Sequence, residues 1–269
     1  MASAGMDVSI IIVSYNTRAD LERCLRALQA APPRATHEVV VVDNASSDGS
    51  AAAARAANAA VIEQTSNTGF ARATNVGIRA SSGRTLLLLN SDTIVPAGAI
   101  DRLLAELESQ PDVAVIGPRL VDGRGRAELS FGRMIGPLNE FLQKRRARGD
   151  VDRLTRHRHY PDWVSGACLL VRRADAEAVG LLDERYFMYA EDVDFCAAIR
   201  GRGRRILFTP EVEITHLRGR SVALAPATTY AAYRRSQIAF YEKHHPFWAP
   251  ALRLYLRLRG ADRQDERHP

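Results

Sequence analysis

Cysteine is scarce in this chain of 269 residues, and its three copies, Cys24, Cys168 and Cys196, are scattered. An odd number at such separations offers neither a disulfide framework nor the paired spacing of a zinc site, so free, buried thiols in a reducing compartment are expected. No apolar run approaches the ~20 residues that a membrane-spanning helix needs. No signal-peptide pattern precedes the first strand, and Met1 to Gly5 reads as a small flexible leader, which together point to a cytoplasmic protein. Glycine-rich phosphate loops are missing too: neither GxGxxG nor GxxxxGK[ST] occurs, which excludes the dinucleotide fingerprint and the P-loop. Ser165-Gly166-Ala167 lacks the following glycine of a nucleophile elbow, and no Ser/His/Asp set accompanies it. There are no internal repeats and no linker that cleanly divides two domains.

What remains is ordinary for a globular chain: 46% hydrophobic and 25% charged residues, enough for one large α/β domain or two small ones. The net charge of +6 and the sequence pI of about 9.5 suit an anionic partner such as a nucleotide, a phospholipid or a nucleic acid. The basic residues gather in a loop (141–160) and in the tail rather than in a recognised module, so no nucleic-acid partner is expected. The 141–160 stretch suits a solvated loop, a flap over a site or a phosphate-contacting arm.

From residue 8 to about 120, short apolar runs alternate with helical patterns. Val8 to Val13, Glu38 to Val42, Val61 to Glu63 and Leu86 to Leu89 read as buried strands, with Leu21, Cys24, Leu25 and Leu28 among the helical spacings between them. That rhythm predicts a parallel, doubly wound sheet covered by helices on both faces. After Leu120 it changes: an antiparallel ribbon is expected within 119–131, a strand over Trp163 to Val171, a helix entered through Glu191, Asp192 and Asp194, and two short strands at Arg205 to Thr209 and Val212 to His216. Helices are expected from about Thr228.

Polar groups fall repeatedly where strands end: Asp43, the loop from Asn67 to Asn75, the turn Asn90-Ser91-Asp92, the acids Glu191 and Asp192, and His216. In open α/β sheets ligands bind in the crevice at the carboxyl ends of the strands, so this recurrence predicts one composite site. Each residue has a plainer reading beside the functional one. Asp43 and Asn90 to Asp92 also suit turn or helix caps, Glu191 to Asp194 suit the positive end of a helix, and His216 suits a structural role.

Six words appear in order over residues 8 to about 220: VSIIIVSYN, VVDNASSDGS, NTGFARATN, LLLNSDT, WVSGACLL and FMYAEDVD. Taken together they resemble family 2 glycosyltransferases of the nucleotide-sugar-binding GT-A fold, close to the rhamnosyltransferase-like bacterial branch. The resemblance implies a Rossmann-like, mostly parallel central sheet flanked by helices over residues 6–220, with a nucleotide-binding half (6–120), an acceptor-side half (121–220) and a helical, basic amphipathic extension (221–269). It implies an inverting enzyme that moves a sugar, L-rhamnose from dTDP-rhamnose above others, to a glycan or polyprenyl-diphosphate-linked acceptor in cell-surface polysaccharide synthesis. A UDP-sugar donor, or a catalytically impaired nucleotide-sugar-binding protein, is the alternative.

By the same resemblance Asp43 accepts the ring N–H of a pyrimidine base, and Ser14, Tyr15 and Asn16 line the nucleotide pocket. Asn67, Gly69, Arg72 and Asn75 belong to the loop over the nucleotide, and Asn90 and Ser91 begin the word that ends in Asp92. Asp92 and His216 become ligands of Mg²⁺ or Mn²⁺, although Asn90 stands where the family's metal word has its first acid. Gly166 and Ala167 leave room for donor sugar and acceptor. Asp192 becomes the catalytic base, with Glu191 orienting the acceptor or a neighbour. The leucine- and arginine-rich tail suits a peripheral contact with the inner face of the plasma membrane, and a homodimer is a further expectation.

Overall fold

The computed structural model describes residues 5–136, 139, 142, 143, 145, 149–217 and 226–265. The strands and helices follow the alternation of the sequence. They are β1 (Val8–Ser14), α1 (Arg18–Ala30), β2 (His37–Asp43), α2 (Ser50–Ala56), β3 (Ala60–Glu63), α3 (Phe70–Arg79), β4 (Thr85–Asn90), β5 (Thr93–Ile94), α4 (Ala99–Glu108) and β6 (Val113–Val121). The second half adds β7 (Ala127–Glu128), β8 (Phe131–Gly132), α5 (Val151–Leu154), β9 (Trp163–Val164), β10 (Cys168–Arg172), α6 (Arg173–Ala178), α7 (Glu191–Gly201), β11 (Arg205–His216), α8 (Pro226–His244) and α9 (Ala249–Asp265).

The main sheet runs in the order β3-β2-β1-β4-β10-β6-β11-β5, with β7 beside β6. β1, β2, β3 and β4 are mutually parallel, whereas β10 runs antiparallel to both β4 and β6. The four-leucine run shows why the strands are apolar throughout. Leu87 and Leu89 face one layer, packed with Leu21, Leu25 and Leu28 of α1 and Leu103 and Leu107 of α4. Leu86 and Leu88 face the other, with Ala71 and Ile78 of α3 and Phe195 and Ile199 of α7. A strand that alternates its side chains between two covered faces has no solvent side on which to place a polar residue. Each such leucine contributes about 2 kcal/mol by burial.

A third cluster docks α8 onto the sheet's second half: Tyr186, Val193, Phe240, Tyr241 and Ala249 pack together. Buried Asp194 anchors it, accepting from Lys243 Nζ at 2.8 Å and from the Tyr186 hydroxyl at 3.2 Å, with His244 Nε2 at 2.6 Å. Asp194 is thus committed to holding α8.

Two local expectations change, and a third is met. The segments at 205–209 and 212–216 form one strand, because β11 crosses an irregularity between Thr209 and Glu213 without leaving β6. Trp163 to Val171 splits into β9 and β10 at Ser165–Ala167, where β9 pairs with β8 instead of joining the main sheet. The ribbon expected in 119–131 is β6–β7, with Leu120 opposite Glu128. Of the basic stretch, residues 141, 144 and 146–148 lie outside the described residues. Asp152 of α5 binds both Arg119 and Arg156, so part of that positive charge is neutralised locally. The boundary expected near residue 220 also falls outside the described residues.

Candidate active site

Strand direction brings the polar strand ends together. Ser14 lies opposite Asp43, and Val13 opposite Asn90, so three parallel strands deliver their carboxyl ends to one edge. β10 enters where β4 leaves, since Cys168 pairs with Leu89, and the small-residue loop Ser165–Ala167 therefore arrives at that edge too. β11 ends beside it, with His216 opposite Thr93.

On the β1–β2 side, Ser14 Oγ lies 3.0 Å from Thr17 Oγ1, which lies 2.9 Å from Ser91 Oγ. This buried hydroxyl chain clasps the end of β1 to the turn after β4. Asp43 is buried; its Oδ2 accepts the Ser46 N–H at 3.0 Å, and its Oδ1 has no partner among the described residues. A buried carboxylate oxygen without a donor is costly, and a ligand N–H is the kind of group that would relieve it. Asn16, at φ 53°, accepts the Ser47 N–H at 2.8 Å, and neighbouring Tyr15 is exposed.

The loop 67–70 is fixed by a residue that carries no motif signal of its own. Asn44 donates to Asn67 Oδ1 at 2.8 Å and accepts the Thr68 N–H at 2.9 Å, while Asn67 Oδ1 also accepts the Gly69 N–H at 3.0 Å. Gly69 sits at φ +85°, where a Cβ would lie 2.4 Å from the Phe187 carbonyl oxygen. That carbonyl accepts the Phe70 N–H at 2.7 Å. Only glycine allows this approach. Asn75 and Arg72 point elsewhere. The Asn75 amide brackets the Leu182 backbone and donates to Glu184 Oε1 at 3.0 Å, and exposed Arg72 lies 3.7 Å from Glu184 Oε2. Both brace the 182–184 loop.

Asp92 and His216 converge: Asp92 Oδ1 is 3.3 Å from His216 Nε2, with Asn90 Nδ2 3.5 Å from the same nitrogen. On the ring's other side His216 Nδ1 is 3.2 Å from Oε2 of buried Glu128. Burial opposes charging the ring, but hydrogen bonds to Asp92 and Glu128 outweigh it and raise the His216 pKa to about 9. Glu128 carried no sequence signal beyond being an acid in a short ribbon; only the β6–β7 pairing brings it behind His216. The donor set fits a divalent ion, with Asp92 and His216 Nε2 as ligands and Glu128 holding the ring from behind, an arrangement common to metal-binding histidines. Among the described residues no group of three or more His, Cys, Asp or Glu forms a metal cage, so an ion held here would need further ligands from substrate or water.

The acids at the start of α7 differ from one another. Asp192 is half-buried; its Oδ2 accepts the Gly166 N–H at 2.9 Å and its Oδ1 the Val193 N–H at 2.8 Å. Gly166 belongs to the loop whose Ala167 carbonyl accepts the Asn90 N–H at 2.9 Å, so Asp192 and the β4 turn are joined through two residues. Glu191 is buried, and its Oε2 has no partner among the described residues. Burial, then the charge of Asp192, pushes the Glu191 pKa up to about 8, and burial also raises that of Asp192. The Gly166 and Val193 N–H groups favour the ionised form of Asp192 and oppose the effect of its burial.

The sequence model described as Glycosyl transferase family 2 matches residues 9–178. The chain belongs to glycosyltransferase family 2. This glycosyltransferase is 30% identical over 276 residues to the N-acetylglucosaminyl-diphospho-decaprenol L-rhamnosyltransferase of Mycobacterium tuberculosis, covering 92% of this chain and 88% of that one. It is 28% identical to a low-salt glycan biosynthesis hexosyltransferase of Haloferax volcanii, over 72% of this chain and 62% of that one. Among solved structures, the mannosyltransferase of Pyrobaculum calidifontis in complex with GDP-Man and Mn²⁺ superposes with a TM-score of 0.62 at 20% identity, covering 94% of this chain and 69% of that one. GalNAc-T7 with UDP, GalNAc and Mn²⁺ gives a TM-score of 0.62 at 17% identity, over 78% of this chain and 43% of that one. These likenesses establish the GT-A fold of the family 2 glycosyltransferase. Among its described residues no helix is long and apolar enough to cross a membrane.

Proposed function

We propose that this glycosyltransferase transfers a sugar, L-rhamnose above others, from a pyrimidine nucleotide-diphosphate donor to a glycan or lipid-linked glycan hydroxyl, with inversion at the anomeric carbon. The observation that carries the mechanism is Asp192, fixed by the Gly166 N–H at 2.9 Å beside the β4 turn. In this reading Asp192 takes the proton of the acceptor hydroxyl as its oxygen bonds to the anomeric carbon. The bond from that carbon to the diphosphate oxygen breaks, and the nucleoside diphosphate leaves with the electron pair. One displacement with one base inverts the centre.

Asp43, whose Oδ1 has no partner among the described residues, receives the base N–H; Ser14, Tyr15, Asn16, Asn67 and Gly69 shape the nucleotide cleft. Asp92 and His216 would hold Mn²⁺ or Mg²⁺, with Glu128 orienting His216; the imidazole ligand would favour Mn²⁺. When bound, the ion offsets charge developing on the diphosphate. The M. tuberculosis relative, whose name specifies a diphospho-decaprenol-linked N-acetylglucosamine, supports a polyprenyl-diphosphate-linked acceptor. Exposed Phe247, Trp248, Leu254 and Leu258 on and before α9 suit a peripheral lipid contact.

Calorimetric titration of dTDP, UDP and GDP, each with and without Mn²⁺, tests the donor reading. Metal-enhanced binding of dTDP or UDP over GDP is expected; equal binding of all three removes the pyrimidine assignment, and no binding of any removes the enzyme reading built on it.

A further inference from the structure

A cavity of about 210 Å³ lies beside the acids. Its aromatic lining is Trp163, Tyr189, Tyr233 and Phe240, and Arg133 and Gln237 add polar groups. Every lining residue comes from the chain after position 130, whereas the nucleotide-side residues of the proposed site come before position 93. The cavity is therefore built wholly from the second half of the chain.

Two connections tie it to the chemistry. Ala190 lines the cavity and is followed directly by Glu191 and Asp192. Trp163 begins the segment that passes through Val164 and Ser165 to Gly166, whose N–H holds Asp192. The backbone here is unusual as well: Tyr189 and Ala190 stand at φ 72° and 68°, two successive non-glycine residues in the left-handed region. Such conformations cost free energy and persist only where the surroundings enforce them. What this turn achieves is visible in its neighbours. It sets the Tyr189 ring edge-on to Tyr233, 5.7 Å between centroids at 75°, while the next turn of chain delivers Asp192 to Gly166.

The wall that completes the cavity is α8, which supplies Tyr233, Gln237 and Phe240 and lies beyond the 9–178 match of the family. Aromatic faces carry negative potential and attract the weakly positive C–H face of a pyranose, and flanking amide and guanidinium groups can reach its hydroxyls. A bare hydrocarbon chain has no use for Arg133 and Gln237.

We propose that this cavity is an acceptor subsite, in which the aromatic wall of α8 and Tyr189 grips the pyranose that presents its hydroxyl to Asp192. The assignment rests on the glycosyl-transfer reading and names the acceptor's chemistry: a sugar ring, held by its apolar face.

Trp163 fluorescence reports on the cavity once exposed Trp248 is removed as W248F. In that background N-acetylglucosamine and glucose are titrated as sugar probes and geranyl diphosphate as the isoprenoid probe, and dTDP and UDP affinities are measured in parallel by calorimetry. A saturable change in Trp163 emission with a sugar is expected. Tyr233→Ala should weaken it at least tenfold, Tyr233→Phe, which keeps the ring, should restore it to within threefold, and nucleotide affinity should stay within twofold in both. Tyr233 is well exposed, and a melting curve for each variant shows that the fold is intact. The assignment is overturned if the nucleotide-binding protein shows no sugar response, if geranyl diphosphate alone perturbs Trp163, or if Tyr233→Ala binds sugar like the parent. Sugar binding without any nucleotide binding sinks the donor reading and leaves the subsite standing.

Discussion

Replacing Asp192 with asparagine separates its chemical role from its structural one. Asparagine has nearly the same shape but presents one oxygen and one NH₂ group where aspartate presents two acceptors. Both aspartate oxygens are in use, toward the Gly166 and Val193 N–H groups. One backbone donor must therefore face an NH₂, and one hydrogen bond is lost, at about 1–2 kcal/mol because water reaches this half-buried side chain. A domain stable by ~5–15 kcal/mol stays folded under that loss. The chemical loss is larger: a general base contributes about 10²–10⁴ in rate, or roughly 3–5 kcal/mol of barrier at ~1.4 kcal/mol per decade. The assay is initial-rate transfer at saturating donor and fixed acceptor, with donor affinity measured by calorimetry and stability by thermal melting. Turnover should fall at least a hundredfold while donor affinity stays within about threefold, as expected for an interaction made chiefly in the transition state. A D192N protein whose turnover stays within tenfold of the parent, with donor affinity unchanged, would refute Asp192 as the proton acceptor.

Other outcomes follow from the neighbouring groups. Glu191 binds its proton more tightly when folded, so its contribution to stability is full below its ordinary pKa of 4.5 and is lost as pH rises toward about 8. The melting temperature of Glu191→Gln should gain on the parent across that window; a constant difference from pH 4.5 to 8 contradicts the raised pKa. Glu128→Gln should weaken Mn²⁺ binding, measured by calorimetry with nucleotide present, by about 10–100-fold, and unchanged affinity would show that Glu128 does not orient His216. Because the His216 ring holds a proton up to about pH 9, Mn²⁺ affinity in the parent should climb from pH 6 toward pH 9; a flat profile argues that His216 is no ligand. Gly69→Ala places a Cβ 2.4 Å from the Phe187 oxygen at φ +85° and should cost at least about 2 kcal/mol, several degrees of melting temperature; an unshifted melt would mean that the 67–70 loop does not press on Phe187.

The sequence by itself determined the layered sheet, because buried parallel strands need apolar residues on both faces and turns need small polar ones. The run Leu86 to Leu89 followed by Asn90-Ser91-Asp92 states both conditions in seven residues. It also marked Asp43, Asp92, Asp192 and His216, since strand-end acids and a late histidine recur in a fixed order of words. What pairs with what was left to the tertiary structure. Asn44 as the clasp of the 67–70 loop and Glu128 behind His216 depend on contacts between segments 23 and 88 residues apart. Asp194 belonged by sequence to the same acidic word as Asp192, yet helical geometry turns it toward Lys243 and His244, and only the docking of α8 assigns it to structure. The divergence of Glu191 from Asp192 has the same origin. Neighbours in sequence, they differ in burial and in the backbone N–H groups they meet, and those are set by where β10 enters the sheet.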